Sequence, residues 1–348
     1  MSRNDSDKMR GVVLLGNRVA EVRELPVPDP KPREVRFRVR VAGICGSDLH
    51  FYRSTPEELG IRRGIVIGHE PSGVVDAVGE GVRDFRIRDR VTVNHTIGCG
   101  HCEYCLSGET VLCKENLGMA ARGRGGDAHY VVMPEMNCHR LADELSFDEG
   151  AFIACTGATA YGALRKLDPS GRDNLVVWGL GPVGLSAVII GRALGARVIG
   201  VDINPRRLDF ATSLGASETV NAKRDDPVEA ILSLIWGRGA EVAIETSGSP
   251  AARSDAAESV CVKGRVVYVG LGRSEKSISA ESMIHREVLL MGSKVLPISL
   301  CAEMMRFMVE TGIRFESIVT HRVGLDEAPE AFSLFDEGAE GKFVITLD

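Results

Sequence analysis

The chain has 348 residues, a length at which one hydrophobic core normally gives way to two domains. Hydrophobic residues make up 44% and charged residues 26%, as in globular proteins, and the net charge of −6 excludes a basic nucleic-acid-binding surface. The sequence contains no apolar run as long as a signal-peptide core or a membrane span, so we expect a cytoplasmic protein. Nine cysteines in a reducing compartment favour metal binding over disulfides.

The first part of the chain is predicted to form a β-rich domain. Residues 35–41 alternate apolar and arginine side chains, which predicts a strand with one buried face that leads directly to Cys45. Residues 64–93 contain short Val- and Ile-rich runs separated by glycines, a spacing typical of a small barrel-like domain. Residues 343–345 are predicted to be a final strand that returns to this domain.

From about residue 172 strands and helices alternate, which predicts a doubly wound parallel sheet with helices on both faces. Residues 175–178 predict a buried strand, and residues 183–194 predict an apolar helix. Asn204-Pro205 and Asp226-Pro227 each place an N-cap residue before a proline at the first helical position.

A Gly-x-Gly-x-x-Gly loop joins that strand to that helix, the setting in which the pattern indicates a dinucleotide site. Its glycines allow a tight turn, close approach of the pyrophosphate and close helix packing, and the helix N-terminus faces the phosphates. Asp202 ends the next strand, where a carboxylate holds both ribose hydroxyls and repels a 2′-phosphate, so NAD is favoured over NADP. Two arginines in the following helical turn weaken this preference, although such residues more often face solvent. The candidate cofactor-binding residues are Gly179, Gly181, Pro182, Val183, Gly184, Asp202 and Arg207.

Residues 94–115 contain four closely spaced cysteines, Cys99, Cys102, Cys105 and Cys113. Four thiolates can close around one tetrahedral Zn²⁺ with no open position, which makes the site structural. The rival interpretations are an iron–sulfur cluster and disulfides. A bacterial iron–sulfur run has three residues before its fourth cysteine and then a proline, whereas here seven residues precede Cys113 and Lys114 follows.

A second group of metal-binding residue types lies between residues 45 and 70. Cys45, His69 and Glu70 are the side chains that Zn²⁺ prefers, and three protein ligands leave its fourth position open for water or substrate. Zinc can lower the pKa of bound water from about 15.7 to about 7. A hydrogen bond from a serine contributes far less free energy than such a pKa shift, so the metal ion has to be the main group that acidifies the bound oxygen.

In order along the chain, Cys45-Gly-Ser-Asp-Leu-His50, Gly68-His69-Glu70-x-x-Gly73, the four cysteines, the glycine loop and Asp202 resemble the zinc-dependent medium-chain alcohol dehydrogenase superfamily. The resemblance covers nearly the whole chain. It implies a GroES-like catalytic domain at residues 1–155 and 294–348, with the structural-zinc lobe at 94–115. It also implies a Rossmann NAD-binding domain at residues 156–293.

The resemblance implies catalytic-zinc ligands at Cys45, His69 and Cys155, with Glu70 able to bind the metal in some states. Polyol dehydrogenases tend to have glutamate where this chain has Cys155, so Cys155 favours the alcohol dehydrogenase pattern. The remaining cysteines, and histidines such as His95, are expected to be core or surface residues.

The resemblance further implies a proton relay. Ser47 takes the hydroxyl proton and passes it through a ribose hydroxyl to His50, which releases it to solvent. Asp48 is expected to accept a hydrogen bond from His69 and to fix the ring for metal binding.

The sequence therefore predicts an oxidoreductase that transfers hydride between a primary or secondary alcohol and NAD. We expect two Zn²⁺ per chain, a small-molecule substrate and a homodimer or homotetramer. A polyol or L-threonine 3-dehydrogenase is the alternative within the superfamily, and a non-catalytic nucleotide-sensing zinc protein is the alternative from another class.

Overall fold

The computed structural model describes residues 8–272 and 278–348. Two compact units account for the chain. Unit 1 comprises Met1–Thr156, Leu296–Glu310 and Val319–Asp348, and unit 2 comprises Gly157–Val295 and Thr311–Ile318. In the described ranges, every helix is too short or too polar to cross a bilayer.

Strands predominate in unit 1, whereas strands and helices alternate in unit 2. The strands are β1 (Lys8–Gly16), β2 (Val19–Pro26), β3 (Glu34–Ile44), β4 (Pro71–Val78), β5 (Arg90–Val93), β6 (Thr96–Ile97), β7 (Leu117–Gly118), β8 (Tyr130–Pro134), β9 (Cys138–Arg140), β10 (Asn174–Trp178), β11 (Arg197–Asp202), β12 (Glu218–Asn221), β13 (Ala240–Glu245), β14 (Val260–Tyr268), β15 (Leu289–Gly292), β16 (Val319–Gly324) and β17 (Lys342–Thr346). The helices are α1 (Asp48–Arg53), α2 (Pro56–Leu59), α3 (Glu103–Leu106), α4 (Phe147–Ala154), α5 (Thr156–Leu167), α6 (Pro182–Ala193), α7 (Pro205–Ser213), α8 (Pro227–Leu234), α9 (Pro250–Glu258), α10 (Ala280–Arg286), α11 (Cys301–Thr311) and α12 (Ala328–Asp336).

Unit 1 is built on a sheet with the strand order β16-β17-β3-β4-β5-β9, and β8 also pairs with β3. The alternation predicted for residues 35–41 is present in β3, where Val35, Phe37 and Val39 are buried. β17 pairs antiparallel with β3, so the final strand returns to the first domain as predicted. The core of unit 1 also includes aromatic side chains from α12 and β17.

Unit 2 contains a parallel sheet with the strand order β12-β11-β10-β13-β14-β15. The chain leaves β10 first toward β11 and β12 and later returns to its other side with β13, so the sheet is doubly wound. Leu175, Val176, Val177 and Trp178 of β10 are all buried, as expected for a central strand covered on both faces. The predicted fold class, a GroES-like domain with a Rossmann domain, is confirmed.

The helix starts of unit 2 follow the predicted capping chemistry. Asn204 Oδ1 accepts a hydrogen bond from the Arg206 N–H, and Asp226 Oδ1 accepts from the Val228 and Glu229 N–H groups. These bonds satisfy donors that the first helical turn leaves unpaired.

The units differ from the sequence-based domain plan by one residue at Thr156, which lies in unit 1, and by two at residues 294–295, which lie in unit 2. A longer segment within residues 294–348, all assigned to the catalytic domain, also differs. Thr311–Ile318 belongs to unit 2. The cause is tertiary packing, because the turn Phe315–Ile318 contacts α6 and both Phe315 and Ile318 are fully buried. No local sequence pattern indicates that contact.

Candidate active site

Four side chains from three parts of unit 1 converge on one point. Cys45 follows β3, His69 and Glu70 precede β4, and Cys155 follows α4. One donor atom from each of the four lies within 4.8 Å of every other. Both cysteines are free thiols. The structure thus brings together all four residues that the sequence proposed for the catalytic metal.

This donor set fits a zinc ion. Tetrahedral zinc at about 2.3 Å from sulfur requires donors separated by about 3.8 Å. The pKa of Cys45 lies well below its ordinary value, first because the Cys155 thiol donates a hydrogen bond to it and also because His69 is near. The lowered pKa favours the thiolate of Cys45, the form of cysteine that binds metal.

Asp48 connects two of these donors. Its Oδ1 accepts a hydrogen bond of 3.0 Å from His69 Nδ1, and its Oδ2 accepts one of 2.9 Å from the Cys45 N–H. The hydrogen bond expected between Asp48 and His69 is present. With a carboxylate accepting the Nδ1 proton, His69 would present the lone pair of Nε2 to a metal ion bound at this site.

Ser47 stands at the N-terminus of α1, but its side chain does not cap that helix. Its Oγ lies 3.4 Å from His69 Nε2, on the side where the metal would bind. Ser47 and His50 are both exposed, and among the described contacts no hydrogen bond joins their side chains. The third member implied for the relay, a ribose hydroxyl, belongs to the cofactor.

Glu70 is held by two partners that the sequence analysis did not identify. Its Oε1 accepts a hydrogen bond of 2.7 Å from Thr156 Oγ1, and its Oε2 lies 2.6 Å from Lys342 Nζ. Lys342 Nζ also donates to Thr156 Oγ1 at 2.9 Å. Burial raises the pKa of Glu70 to about 7, while the charge of Lys342 acts in the opposite direction.

Two further residues beside the site lay outside the sequence-based prediction. The ring of His95 makes an edge contact with that of His69, with centroids 4.8 Å apart, and its Nδ1 is 2.8 Å from the Ala154 carbonyl oxygen. Asp127 is fully buried against Gly68, where an added Cβ would lie 2.0 Å from Asp127 Oδ1. Gly68 has to be glycine for this reason and because its φ is +83°. Neither residue lies in a recognisable local pattern.

The four cysteines of the lobe form a second donor cluster. Their sulfur atoms all lie within 4.8 Å of one another, and Cys99 Sγ and Cys105 Sγ are 3.9 Å apart. A Cβ at Gly98 would lie 2.5 Å from Cys105 Sγ, so this cradle also requires glycine. Hydrogen bonds, first from the His101 N–H, lower the pKa of Cys99 to about 6. Four free thiols in this arrangement fit a closed zinc site.

The glycine loop in unit 2 has the form expected of a phosphate cradle. Gly179 has a φ of +86°, and a Cβ at Gly184 would lie 1.9 Å from the Gly179 carbonyl oxygen. A Cβ at Gly181 would meet no atom within 4 Å, so this position is open at the N-terminus of α6, which begins with Pro182 and Val183. A pyrophosphate fits here because unpaired helical N–H groups face it.

Asp202 ends β11 beside this loop. Its Oδ2 accepts a hydrogen bond of 2.7 Å from the Leu180 N–H, and its Oδ1 accepts one of 2.9 Å from the Asn204 N–H. A carboxylate has lone pairs for further donors, so these bonds orient Asp202 without excluding ribose hydroxyls. Arg207 is half-buried in the first turn of α7.

Comparison with known proteins matches both halves of the chain. Residues 31–143 match the alcohol dehydrogenase GroES-like domain, and residues 182–310 match the zinc-binding dehydrogenase domain. The uncharacterised zinc-type alcohol dehydrogenase-like protein YphC of Escherichia coli is 36% identical over 97% of this chain and 99% of its own length.

The chain belongs to the zinc-type alcohol dehydrogenase family.

Two other relatives agree with this assignment. The L-threonine 3-dehydrogenase of Edwardsiella ictaluri is 31% identical over 92% of this chain and 94% of its own length. The structure of alcohol dehydrogenase TADH from Thermus sp. ATN1 has a TM-score of 0.89 at 31% identity and covers 97% of this chain and 100% of that one. The protein is thus an oxidoreductase that interconverts an alcohol and a carbonyl compound, and it uses zinc and a nicotinamide nucleotide.

Proposed function

We propose that this protein is an NAD-dependent alcohol dehydrogenase whose catalytic zinc is bound by Cys45, His69 and Cys155. The observation that carries the proposal is the convergence of these donors within 4.8 Å, next to the Ser47 hydroxyl. Two thiolates and one imidazole leave one coordination position for the substrate oxygen.

When bound, zinc acidifies the alcohol hydroxyl and the dinucleotide accepts the hydride. The protein's own residues position the ligands and move the proton. Asp48 holds the His69 ring and the Cys45 backbone in place. Ser47 would accept the hydroxyl proton, and His50, which is exposed, would receive it through the ribose hydroxyl of the cofactor and release it to water.

We infer that NAD is the preferred cofactor. Asp202 stands at the end of β11, where its negative charge favours a free ribose 2′-hydroxyl over a 2′-phosphate. Gly179, Gly181, Pro182, Val183 and Gly184 would surround the pyrophosphate. Arg207, in the first turn of α7, would contact the adenosine half of the cofactor.

We propose a primary or secondary alcohol as the substrate. The thiol of Cys155, in place of the glutamate of polyol dehydrogenases, supports this class. The second candidate is oxidation of a hydroxy-amino acid, and the similarity to L-threonine 3-dehydrogenase supports it. A polyol is the third class to be tested.

We further propose a second, structural zinc at Cys99, Cys102, Cys105 and Cys113, and a cytoplasmic location in which these thiols stay reduced. The proposed assembly is a homodimer or homotetramer. β15 is an edge strand of the unit 2 sheet, and Leu289 at its start is 52% exposed. An apolar edge strand of this kind is suited to pairing with a second copy.

The test combines metal analysis with a substrate panel. The purified protein is analysed for zinc and is then assayed with primary, secondary, polyol and hydroxy-amino-acid alcohols, separately with NAD and NADP. The expected result is two zinc ions per chain and the highest kcat/KM with NAD and a primary or secondary alcohol.

Each part of the proposal has its own contrary outcome. If the protein contains one zinc per chain, and if that zinc is lost when the lobe cysteines are replaced, the proposed catalytic zinc site is contradicted. Equal or better use of NADP contradicts the role of Asp202. Highest activity with L-threonine or a polyol transfers the assignment to the corresponding alternative. Full activity after proven zinc removal contradicts the mechanism altogether.

A further inference from the structure

The metal centre has one donor more than its proposed chemistry needs. Cys45, His69, Glu70 and Cys155 all present a donor atom within 4.8 Å of one another. A zinc ion that bound all four would have no position for an alcohol. The protein therefore requires a device that keeps one of the four donors off the metal.

Glu70 is the donor whose two carboxylate oxygens are both held by other side chains. Thr156 Oγ1 donates to Oε1 at 2.7 Å, and the ammonium of Lys342 lies 2.6 Å from Oε2. Lys342 also donates to Thr156 at 2.9 Å, so the three side chains form a closed ring. The Cys155 thiol, in contrast, donates its hydrogen bond to the sulfur of Cys45, which is another donor of the same site.

The ring has little space in which to rearrange. Glu70 and Lys342 are both 0% exposed. A Cβ at Gly43 would lie 2.6 Å from Glu70 Oε2 and 2.8 Å from Lys342 Cε, so the glycine of β3 just fits the pair. The Phe152 ring covers Lys342 Nζ, with its centroid 5.9 Å away.

The backbone fixes Lys342 relative to the metal ligands. Lys342 begins β17, and the next residue, Phe343, pairs with Ile44 of β3. Cys45 follows Ile44 directly. The same strand pair therefore positions a metal ligand and the cation that holds Glu70.

We propose that Lys342, with Thr156, is a positioning residue that holds Glu70 off the catalytic metal and so keeps the substrate position open. This inference rests on the proposed zinc site at Cys45, His69 and Cys155. Without Lys342, the freed carboxylate would bind the metal as a fourth protein ligand.

Cobalt-substituted protein tests the inference without an activity assay. Zinc is exchanged for Co²⁺, whose d–d absorption bands report the number and type of its ligands, and imidazole is added as a small external ligand. In the wild-type protein, imidazole should shift the bands because a position is open. In Lys342→Met, the bands should already differ from wild type, and imidazole should have no effect.

The rate of metal release is a second readout, because the inference and simple damage to the site change it in opposite directions. In Lys342→Met the Glu70 carboxylate would become an additional ligand, so release of Co²⁺ to a chelator should be about tenfold slower than in wild type. A merely structural role for Lys342 predicts faster release, because the ligands would be held less well.

Two controls separate the cation from the carboxylate. Glu70→Gln keeps Lys342 and the size of the side chain but removes the carboxylate charge, and it should retain the imidazole response. The double variant Lys342→Met/Glu70→Gln lacks the carboxylate and should recover both the wild-type bands and the wild-type release rate. If Lys342→Met does not fold, Thr156→Val, which removes one partner of Glu70 and keeps the charge pair, should show a smaller change in the same direction.

The outcomes distinguish this inference from the proposed function. Cobalt bound only in the cysteine lobe of the wild-type protein would contradict the proposed catalytic site itself. Wild-type bands and imidazole response in both Lys342→Met and Thr156→Val would contradict the inference alone. An equal change in the single and double variants would also contradict it, because Glu70 would then play no part.

Discussion

Asp48 shows how a single residue fixes the geometry of several others at the metal centre. Its two oxygens bind the His69 ring and the Cys45 N–H, so one buried carboxylate orients a nitrogen and a sulfur ligand together. The hydroxyl of Ser47, the preceding residue, is not used to cap the start of α1. It instead makes a hydrogen bond of 3.4 Å with His69 Nε2, and this placement would give it access to the proton of a substrate at the proposed metal.

We predict that Ser47→Ala lowers kcat/KM by about 10²–10⁴-fold, the usual contribution of a positioned proton-transfer group. Zinc content should not change, because Ser47 is not among the metal ligands. Ser47→Thr, which keeps the hydroxyl, is the matched control and should retain most of the activity. Steady-state kinetics near neutral pH and zinc analysis make the comparison, and a full rate in Ser47→Ala would remove the residue from the relay.

His139 affects stability at a position outside the active site. It lies on β9, its Nε2 has no hydrogen-bond partner among the described residues, and burial lowers its pKa to about 4 from an ordinary value of 6.5. Above pH 6.5 the ring is neutral in both the folded and the unfolded chain. Between pH 6.5 and 4 only the unfolded chain takes up the proton, so the free energy of unfolding falls as the pH falls.

The predicted loss from this histidine is about 3 kcal/mol by pH 4, at about 1.4 kcal/mol for each pH unit. His139→Gln should remove this part of the pH dependence, whereas His285→Gln, at an exposed position, should not. Urea unfolding between pH 7 and pH 4.5 measures the difference. Parallel profiles for wild type and His139→Gln would show that the ring is protonated in the folded protein.

At the scale of elements, the lobe is a segment without a core of its own. α3 has four residues, and the exposed fractions of Leu106 and Leu112 are 76% and 48%. Ile97 at the start of the lobe belongs to the core of unit 1, and from residue 98 to 115 the buried residues are Cys105, Thr110, Val111 and Cys113, two of which are thiols. A zinc ion would therefore supply the cross-links that hydrophobic burial provides elsewhere.

We predict that Cys113→Ser removes one of the two zinc ions and lowers Tm by roughly 2–4 °C for each kcal/mol of stability lost. Cys261→Ser is the matched control, because Cys261 belongs to neither donor cluster. Zinc analysis and thermal unfolding test both variants. Retention of two zinc ions in Cys113→Ser would exclude the four-cysteine site.

Local sequence predicted those parts of the fold and site that are set by nearby residues. The N-caps Asn204 and Asp226 act through bonds within three residues, and the alternation of β3 needs only its own side chains. The proposed metal ligands Cys45 and His69 could be named from the sequence because their immediate neighbours form a recognisable pattern.

The remainder depends on contacts between distant parts of the chain. Lys342 reaches Glu70 because β17 pairs with β3. The Asp127 side chain leaves no room for a Cβ at position 68, so a glycine is required there. Contact with α6 accounts for the burial of Phe315. In each case a residue of ordinary sequence context acquires its role from the partner that folding brings to it, which one sequence does not reveal.

At the scale of the whole molecule, unit 1 is assembled from three chain segments. The first segment supplies Cys45, His69 and Glu70, and the last supplies Lys342. The candidate donors, Cys155 included, thus come from one segment, whereas the cation beside Glu70 arrives only when β17 pairs with β3. In unit 2 the strand order of the sheet ends at β15, which among the described residues pairs only with β14.

That edge of the sheet leads to a prediction about assembly. Leu289 of β15 is 52% exposed and Ile284 of the adjacent α10 is 74% exposed, and α10 buries none of its described side chains. In a twofold-symmetric pair, a charge introduced on this edge would be buried twice. Leu289→Lys should therefore weaken self-association by at least about tenfold, a cost of about 1.4 kcal/mol.

Ile87→Lys is the matched control, because Ile87 is 61% exposed and lies in unit 1. Sedimentation velocity over a range of concentrations compares the three proteins. Unchanged association in Leu289→Lys, or a wild-type protein that is monomeric throughout, would show that β15 is not the interface.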